Sequence, residues 1–289
     1  MQKLQVLNNI SPNIDGYEKL VSFYQTNNSK FLSTISVSFR NWFSANLCAP
    51  LGAILDKLEK DELVSVKFIE LPHKIQNILQ RNEFLSYYGF ERLIDSNHTV
   101  IRYLKLQPSD SRYFNDYIAK YLINHHEMPD LSSALKRKIT ESIYEMFVNA
   151  QIHSNTDFIY TCGQFFPAKH SIWFTITDLG IGFKTSVNQR FGSKLSSIQA
   201  IQWAIQNGHT TKTKISGGIG LALLKEFISK NCGTMQIISD NGFYSFSHGV
   251  ESVKELEFEF PGTIITMEFK TDDENSYKLA SETVEQGIF

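Results

Sequence analysis

Strand-like and helix-like stretches alternate in short succession in the first half of the chain, between residues 33 and 90. Residues 33–39 alternate β-branched or aromatic side chains with polar ones, whereas residues 45–61 carry apolar side chains at helical spacing. Residues 63–71 are again typical of a strand, and residues 73–90 are typical of a helix that closes on a glycine. Because such alternation is the pattern of a sheet covered by helices, we expect a parallel or mixed sheet here.

The second half of the chain has a different arrangement, with helices first and antiparallel strands last. Apolar residues recur at steps of three and four between residues 132 and 153, which predicts one long helix with a core-facing stripe. Two strands and two helices are predicted next, at 157–166, 171–178, 195–208 and 220–231. The last strands are interrupted by Asn241-Gly242 and Pro261-Gly262, and each pair predicts a turn. This order predicts an α+β sandwich.

The polar run at residues 107–116 separates the two patterns, and we place a domain boundary there. The predicted fold class is therefore α/β (α+β), with an N-terminal domain at 1–110 and a second domain at 111–275. Residues 276–289 are predicted to form a polar tail.

Charge and cysteine usage exclude several classes of function. With 28 Lys and Arg against 30 Asp and Glu, the net charge of −2 provides no basic field, so nucleic-acid binding is disfavoured. Three widely spaced cysteines, Cys48, Cys162 and Cys232, match neither a disulfide framework nor a zinc site and indicate a reducing compartment. No signal peptide is apparent, and every apolar stretch is shorter than the ~18 residues that span a bilayer. We expect a soluble, cytoplasmic protein without a membrane partner.

Glu145 and Asn149 are two polar residues whose spacing of four suggests a functional site. Four residues apart on the predicted helix, they share one face beside the apolar stripe. The Asn oxygen suits Mg²⁺ as a ligand, and the carboxylate can orient or deprotonate an attacking group. The alternative is a solvated helix face without a functional role.

Asp178 ends a predicted strand and is followed by Gly180 and Gly182. Its carboxylate can accept a hydrogen bond from an exocyclic amine such as that of adenine, and the glycines let the backbone approach a flat ligand. Late in the chain, the hydroxyl of Thr263 can reach the same carboxylate through water. The alternatives are an ordinary strand-exit turn and a threonine that merely favours β structure.

A glycine-rich segment stands at the mouth of the predicted helix 220–231. It reads Ser216, Gly217, Gly218, Ile219, Gly220 and Leu221. Backbone N–H groups at such a helix start can face phosphate, and Lys212 and Lys214 just upstream can supply counter-charge. The segment is not a P-loop, because no Gly-Lys-Ser/Thr follows.

Taken in order, these motifs make residues 135–270 resemble the GHKL, or Bergerat-fold, ATP-binding domain of gyrase, Hsp90, histidine kinases, MutL and anti-sigma-factor kinases. The matches are Glu145 and Asn149 for the N box, 178–182 and 216–221 for the two glycine boxes, and Gly262-Thr263 for the late Gly-Thr. The second glycine box departs from the family pattern at Ser216, which replaces its first glycine.

The resemblance implies ATP and Mg²⁺ as ligands. It implies Glu145 as the catalytic base, Asn149 as the Mg²⁺ ligand and Asp178 as the acid that hydrogen-bonds to adenine. It also implies that residues 183–216 form a lid over the phosphates. The implied nucleotide contacts are Asn149, Asp178, Gly180, Gly182, Lys212, Lys214, Gly217, Gly218, Gly220, Leu221 and Thr263.

The surroundings of the motifs narrow the kind of GHKL protein that the chain resembles. Gyrase-, MutL- and Hsp90-like proteins need a following domain that supplies a lysine, and the chain ends soon after the last predicted strand. Histidine kinases carry a phospho-accepting histidine on an upstream helical hairpin, and His126 lies too close to Glu145 for one. We therefore expect the type of the anti-sigma-factor kinases, which act on serine or threonine.

Residues 30–90 are similar to a STAS-like domain, the fold of the antagonists that those kinases phosphorylate. The resemblance implies a regulatory or interaction domain and points to Ser44, just before a helix, as a candidate phospho-acceptor. The acid-Ser-Ser-Gly string expected at such an acceptor is missing. The alternative for Ser44 is an ordinary helix N-cap.

The function predicted from the sequence is that of a Mg-ATP-binding GHKL protein, acting as a regulatory ATPase or a serine/threonine protein kinase-like signalling protein. The alternative is a non-catalytic, ATP-gated protein-interaction switch, in which ATP orders the lid without being turned over. A protein partner is expected in either case, and self-association into a homodimer is compatible with both.

Overall fold

A computed structural model of the chain describes residues 3–153, 156–209 and 220–284. The elements of the N-terminal half are β1 (Lys3–Ile10), α1 (Ile14–Asn27), β2 (Thr34–Phe43), α2 (Cys48–Asp61), β3 (Ser65–Phe68) and α3 (His73–Arg81). The strands form a parallel sheet in the order β1-β2-β3, so the predicted parallel sheet is confirmed. The helix predicted at 73–90 ends earlier, at Arg81, because Glu83 takes a left-handed φ of 68°. β1 and α1 were not predicted.

A second, larger sheet organises the rest of the chain. The elements of this part of the chain are β4 (Val100–Leu106), α4 (Ser111–Ile118), β5 (Asp130–Leu131), α5 (Ser133–His153), β6 (Ile159–Phe166), β7 (Ser171–Asp178), α6 (Gly182–Phe191), α7 (Ser197–Ala204), α8 (Gly220–Lys230), β8 (Thr234–Ser247), β9 (Val250–Lys270), β10 (Ser276–Tyr277) and α9 (Ala280–Val284). Five strands pair antiparallel in the order β4-β6-β7-β9-β8. The mixed α/β class is therefore confirmed.

The larger sheet is covered on both faces. On one face, Ile172, Phe174 and Ile176 of β7 pack in a core shared with α5 and α8. On the other face, Tyr160 and Ile264 pack in a core shared with the N-terminal half. Since side chains alternate between the two faces of a strand and both faces are covered, almost every position of β6 and β7 is buried.

Strand β4 lies before the boundary predicted at residue 110, yet it pairs with β6 in the larger sheet. The N-terminal half also makes buried polar contacts with that sheet. The Tyr17 hydroxyl lies 2.8 Å from Thr266 Oγ1 and 3.0 Å from Gln236 Oε1, and Asn46 Nδ2 donates to Thr175 Oγ1 at 3.0 Å. Because buried polar groups are costly without partners, these bonds fix how the N-terminal half sits on the sheet.

The turn predicted at Asn241-Gly242 is wrong. Strand β8 continues through both residues, and only its register against β9 shifts there. The chain reverses instead at His248-Gly249, where φ values of 51° and 77° suit a tight type I′ hairpin. A glycine at position 242 is explained by packing instead, because a Cβ there would lie 3.0 Å from the backbone of Ser197.

The turn predicted at Pro261-Gly262 is also wrong, because β9 runs unbroken from Val250 to Lys270. Gly262 has a φ of 152°, and a Cβ on it would lie 2.0 Å from the backbone oxygen of Asp178. The pair therefore marks a close approach between neighbouring strands at one end of the sheet, not a reversal of the chain.

The polar tail predicted from residue 276 contains structure. β10 pairs in parallel with β5, and α9 follows it. The hydroxyl of Ser132 donates to Glu282 at 2.7 Å, which ties α9 to the start of α5. None of the described helices is both long enough and apolar enough to cross a bilayer.

Candidate functional site

A pocket opens at the end of the larger sheet where β7 stops and Gly262 approaches it. One wall is a face of α5, and the floor is the end of β7 together with Thr263 and Ile265 inside β9. The opposite wall is formed by α6, α7 and the residues that follow α7. The lining residues include Glu145, Asn149, Asp178, Gly182, Leu221 and Thr263. Residues predicted from separate motifs are thus brought together in one pocket.

Glu145 and Asn149 line the pocket from one face of α5, as their spacing of four predicts. On the other side of the same helix, Ile139 and Ile143 are fully buried and hold α5 against the sheet. The backbone N–H of Gly220, the first residue of α8, donates to Glu145 Oε2 at 3.1 Å. This bond places the carboxylate beside the N-terminal end of α8, where the helix dipole favours negative charge.

Asp178 is the last residue of β7 and stands opposite Thr263 on β9. Its Oδ1 accepts a hydrogen bond from the Gly180 N–H at 2.8 Å. Loss of water around the carboxyl raises the pKa of Asp178 to about 7, and the Gly180 N–H offsets only part of that rise. An ionised Asp178 in this pocket therefore gains from a ligand that donates a hydrogen bond to it.

Gly182 is where the chain turns from the strand end into α6. Its φ is 68°, and a Cβ on it would lie 2.8 Å from Ser239 Oγ and 2.9 Å from Asp240 Oδ2. The Ser239 hydroxyl accepts a hydrogen bond from the backbone N–H of Phe183, the residue after Gly182, at 2.8 Å. The glycine is thus required both for its backbone conformation and for the close approach of β8.

Gly182→Ala is expected to lower the free energy of unfolding by about 2 kcal/mol, because left-handed strain and contact with Ser239 act together. Gly192→Ala is the matched control: its φ is 62° and a Cβ would meet nothing within 4 Å. That variant should lose only the strain, about 1 kcal/mol. Urea unfolding of the two variants measures the difference, and equal losses would show that the approach of β8 does not matter.

The opposite wall contains residues that the sequence motifs did not predict. Trp203 of α7 packs against His209 with ring centroids 4.8 Å apart and ring planes tilted by 33°, and His209 Nδ1 lies 3.0 Å from the Trp203 carbonyl oxygen. Phe183 and Val187 of α6 complete this wall. All four lie in the segment predicted as a lid, but no spacing in that segment distinguishes the pocket-facing positions.

Four predicted nucleotide contacts lie outside the described residues: Lys212, Lys214, Gly217 and Gly218. Ser216 of the second glycine box also lies outside them. Of the second glycine box, the structure describes Gly220 and Leu221, both buried at the start of α8. Gly220 contributes its N–H to the Glu145 carboxylate, and Leu221 lines the pocket.

Ser44 lies far from this pocket in the fold, against the opposite face of the larger sheet. It is 2% exposed, and its hydroxyl accepts the indole N–H of Trp42 at 2.9 Å. Its neighbour Ala45 donates its N–H to Gln164 of β6 at 2.8 Å. Ser44 stands at the N-cap position of a short 3-10 turn, as the alternative predicts, but its side chain makes no capping hydrogen bond. Its role as a phospho-acceptor stays a prediction and requires the Trp42 contact to open.

The donor set of the pocket fits a magnesium nucleotide better than a metal ion alone. Within the described ranges, no three His, Cys, Asp or Glu side chains come together as a metal site. Asn149 and Glu145 offer hard oxygen atoms, which Mg²⁺ prefers. Magnesium commonly takes only one or two protein ligands and completes its shell with water and phosphate oxygens.

Comparison with known proteins adds no relative. No protein-family model matches the chain, and no curated protein matches it.

Proposed function

We propose that the pocket binds Mg-ATP as the GHKL family does, and that the protein is a regulatory ATPase or a serine/threonine protein kinase-like signalling protein. The observation that carries the proposal is the Asp178 carboxyl, held out of water at a strand end in the same pocket as Glu145 and Asn149. A carboxylate in that setting suits the exocyclic amine of adenine, which can restore a lost hydrogen bond.

The remaining pocket residues are consistent with this orientation. If adenine bound at Asp178, then Glu145, Asn149 and the start of α8, where N–H groups favour anions, would be the residues available to hold the phosphates. Magnesium, when bound, neutralises phosphate charge there, with the Asn149 oxygen as its protein ligand. The Glu145 carboxylate is then the group that can take a proton from an attacking hydroxyl or water.

The alternative is an ATP-gated switch. Among the described lining residues His209 is the basic side chain, and the predicted counter-charges Lys212 and Lys214 lie outside the described residues. Phosphoryl transfer usually needs positive charge at the phosphates beyond that of the metal. A switch needs no such charge, because ordering of the 183–216 lid by ATP would be enough to change a partner surface.

The two functions are separated by incubating the protein with Mg²⁺ and γ-labelled ATP and following free phosphate and label on protein. Free phosphate alone identifies an ATPase, and label on serine or threonine identifies a kinase. Tight binding without either product identifies the switch. Failure of ATP to bind would overturn the proposal as a whole.

The N-terminal half belongs to the proposal as a STAS-like regulatory domain. Its support is the parallel β1-β2-β3 sheet with intervening helices and its contact with the larger sheet. We place the protein in the cytoplasm, where ATP and Mg²⁺ are abundant, with a protein partner that the N-terminal half engages.

The affinity for the base is expected to rise with pH up to about 7, the pKa of Asp178. Below this pKa the carboxyl is protonated in the free protein, and binding of the adenine amine to the ionised form must displace that proton. Affinity should fall by up to about tenfold per pH unit below 7. Adenosine is the appropriate ligand for calorimetry between pH 5.5 and 8, because it carries no titrating phosphate. A flat profile would contradict the assignment of Asp178.

A further inference from the structure

A groove on the N-terminal half lies between two strand segments that have free edges. It is lined by β1 from Gln5 to Asn8, by the polar side of α1, and by residues 256–258 of β9. The groove is separate from the ATP pocket, with which it shares no lining residue. What could fill it follows from the hydrogen-bonding state and charge of its walls.

The first wall is the outer edge of β1. β1 pairs only with β2 in the part of the chain that is described, so its other edge presents unpaired N–H and C=O groups. The side chains of Leu4 and Val6 are 42% and 44% exposed, so neither charge nor bulk blocks this edge. A free edge of this kind is a template for an added strand.

The second wall is a bulge in β9. The register of β9 against β8 jumps from Phe260, opposite Asp240, to Glu255, opposite Gly242. Residues 256–259 therefore have no paired strand among the described residues, although they stay extended. Within this segment the side chain of Leu256 is buried and anchors the bulge.

A buried polar atom in the same groove has no partner. The side-chain nitrogen Nε2 of Gln5 is inaccessible to solvent and makes no hydrogen bond to any described residue. Such an atom costs free energy unless an acceptor reaches it. Rotation of the Gln5 side chain into the groove would bring this donor to a backbone carbonyl of a chain lying there.

The charge of the groove is negative. Its lining has three carboxylates, Asp15, Glu18 and Glu257, against one ammonium, Lys19, which pairs with Asp15 at 2.6 Å. Glu18 pairs at 3.0 Å with Lys254, which lies outside the lining. Glu257 is exposed and has no ion pair within the described ranges. Charge complementarity thus selects a basic occupant.

From these four observations we propose that the groove binds an extended, basic segment of a partner protein, which adds as a strand to the free edge of β1. With about 3.3 Å per residue, the free edge from Gln5 to Asn8 accommodates roughly five residues. Backbone hydrogen bonds to β1 supply affinity, and basic side chains beside Glu257 supply selectivity. This proposal does not depend on ATP binding.

The test uses the full-length protein and a fluorescein-labelled heptapeptide of alternating lysine and valine, followed by fluorescence anisotropy. Two control peptides have the same length: one carries methyl groups on alternate backbone nitrogens, and the other has glutamate in place of lysine. The methylated peptide keeps its charge but loses backbone N–H donors. We therefore expect it to bind at least about tenfold more weakly. The glutamate peptide should not bind.

A pair of protein variants tests the location. Glu257→Lys reverses the charge in the groove and should weaken binding of the basic peptide about three- to tenfold. Glu255→Lys makes the same change two residues earlier on β9, outside the lining, and should leave binding nearly unchanged. Bound peptide should also slow amide hydrogen exchange at residues 5–8.

Four results would overturn the proposal. They are equal binding of the methylated peptide, equal losses in the two variants, no anisotropy change up to about 1 mM protein, and protection of residues 5–8 by concentration-dependent dimerisation without peptide. The last result would assign the groove to a second copy of this chain. Nucleotide binding by both variants, measured in parallel, should match that of the wild type, so failure here is distinguishable from failure of the ATP proposal.

Discussion

Asp178→Asn is expected to weaken ATP binding by about a hundredfold, because a charge-assisted hydrogen bond contributes about 1.5–3 kcal/mol. The amide nitrogen that replaces one carboxylate oxygen is a donor and would face the amine of adenine, which is also a donor. Calorimetry at pH 8 is the appropriate measurement, because Asp178, with a pKa of about 7, is then mostly ionised in the wild type.

Asp240→Asn provides a matched control. Asp240 is a second carboxyl at the same end of the sheet, and loss of water raises its pKa as well. Its Oδ2 lies 2.9 Å from the position that a Cβ on Gly182 would take, but Asp240 does not line the pocket. ATP binding by this variant should stay within about twofold of the wild type. Equal losses in the two variants would mean that the charge of the region, not a contact at Asp178, controls binding.

The stability of Asp178→Asn separates loss of a contact from loss of the fold. A raised carboxyl pKa means that the folded state holds a proton that the unfolded chain releases as pH rises between about 4 and 7. Asp178 therefore destabilises the free protein most fully above pH 7. Removing its charge should leave the variant at least as stable as the wild type at pH 8, as urea unfolding can show.

Local periodicity was enough to predict the parts of the pocket that depend on one element. The spacing of Glu145 and Asn149 determines that both project from one face of α5, whatever α5 packs against. The strand that ends at Asp178 was predicted with its bounds, because alternation and the following glycines are both local signals. That Thr263 stands directly opposite Asp178 depends on strand register, whereas the sequence suggested only that the Thr263 hydroxyl can reach the carboxylate through water.

Features that depend on contacts distant in sequence could not be predicted in this way. Asn241-Gly242 has the composition of a hairpin turn, yet the Ser197 hydroxyl donates to Asn241 Oδ1 at 2.6 Å and α7 leaves no room for a Cβ at residue 242. Packing against α7 thus overrides the local turn preference. Trp203 and His209 were missed for the same reason, because only the position of α7 turns them toward the pocket.

The placement of the N-terminal half is the largest feature that the sequence did not indicate. Tyr17 reaches Thr266, 249 residues away, and Asn46 reaches Thr175, 129 residues away. No local sequence pattern predicts contacts between residues so far apart in the chain. They bring a buried polar layer against β7 and β9, the strands that carry Asp178 and Thr263.

Glu145→Gln is expected to bind ATP with an affinity within about threefold of the wild type but to turn it over at least about a hundredfold more slowly. Glutamine keeps the length of the side chain and an oxygen that can accept the Gly220 N–H, now 3.1 Å from Glu145 Oε2. It cannot take a proton, so only the step that needs a base is lost. Single-turnover measurements with γ-labelled ATP separate the chemical step from binding and product release.

Glu141→Gln is the matched control, since Glu141 lies one turn earlier on α5 and pairs with Lys138 at the surface at 2.8 Å. Its turnover should equal that of the wild type. If Glu145→Gln and the wild type hydrolyse ATP at the same rate, Glu145 is not a base, and its bond to Gly220 serves to couple α5 to α8. That outcome favours the switch, because a nucleotide held between α5 and α8 would then act through the position of α8 and the lid that precedes it.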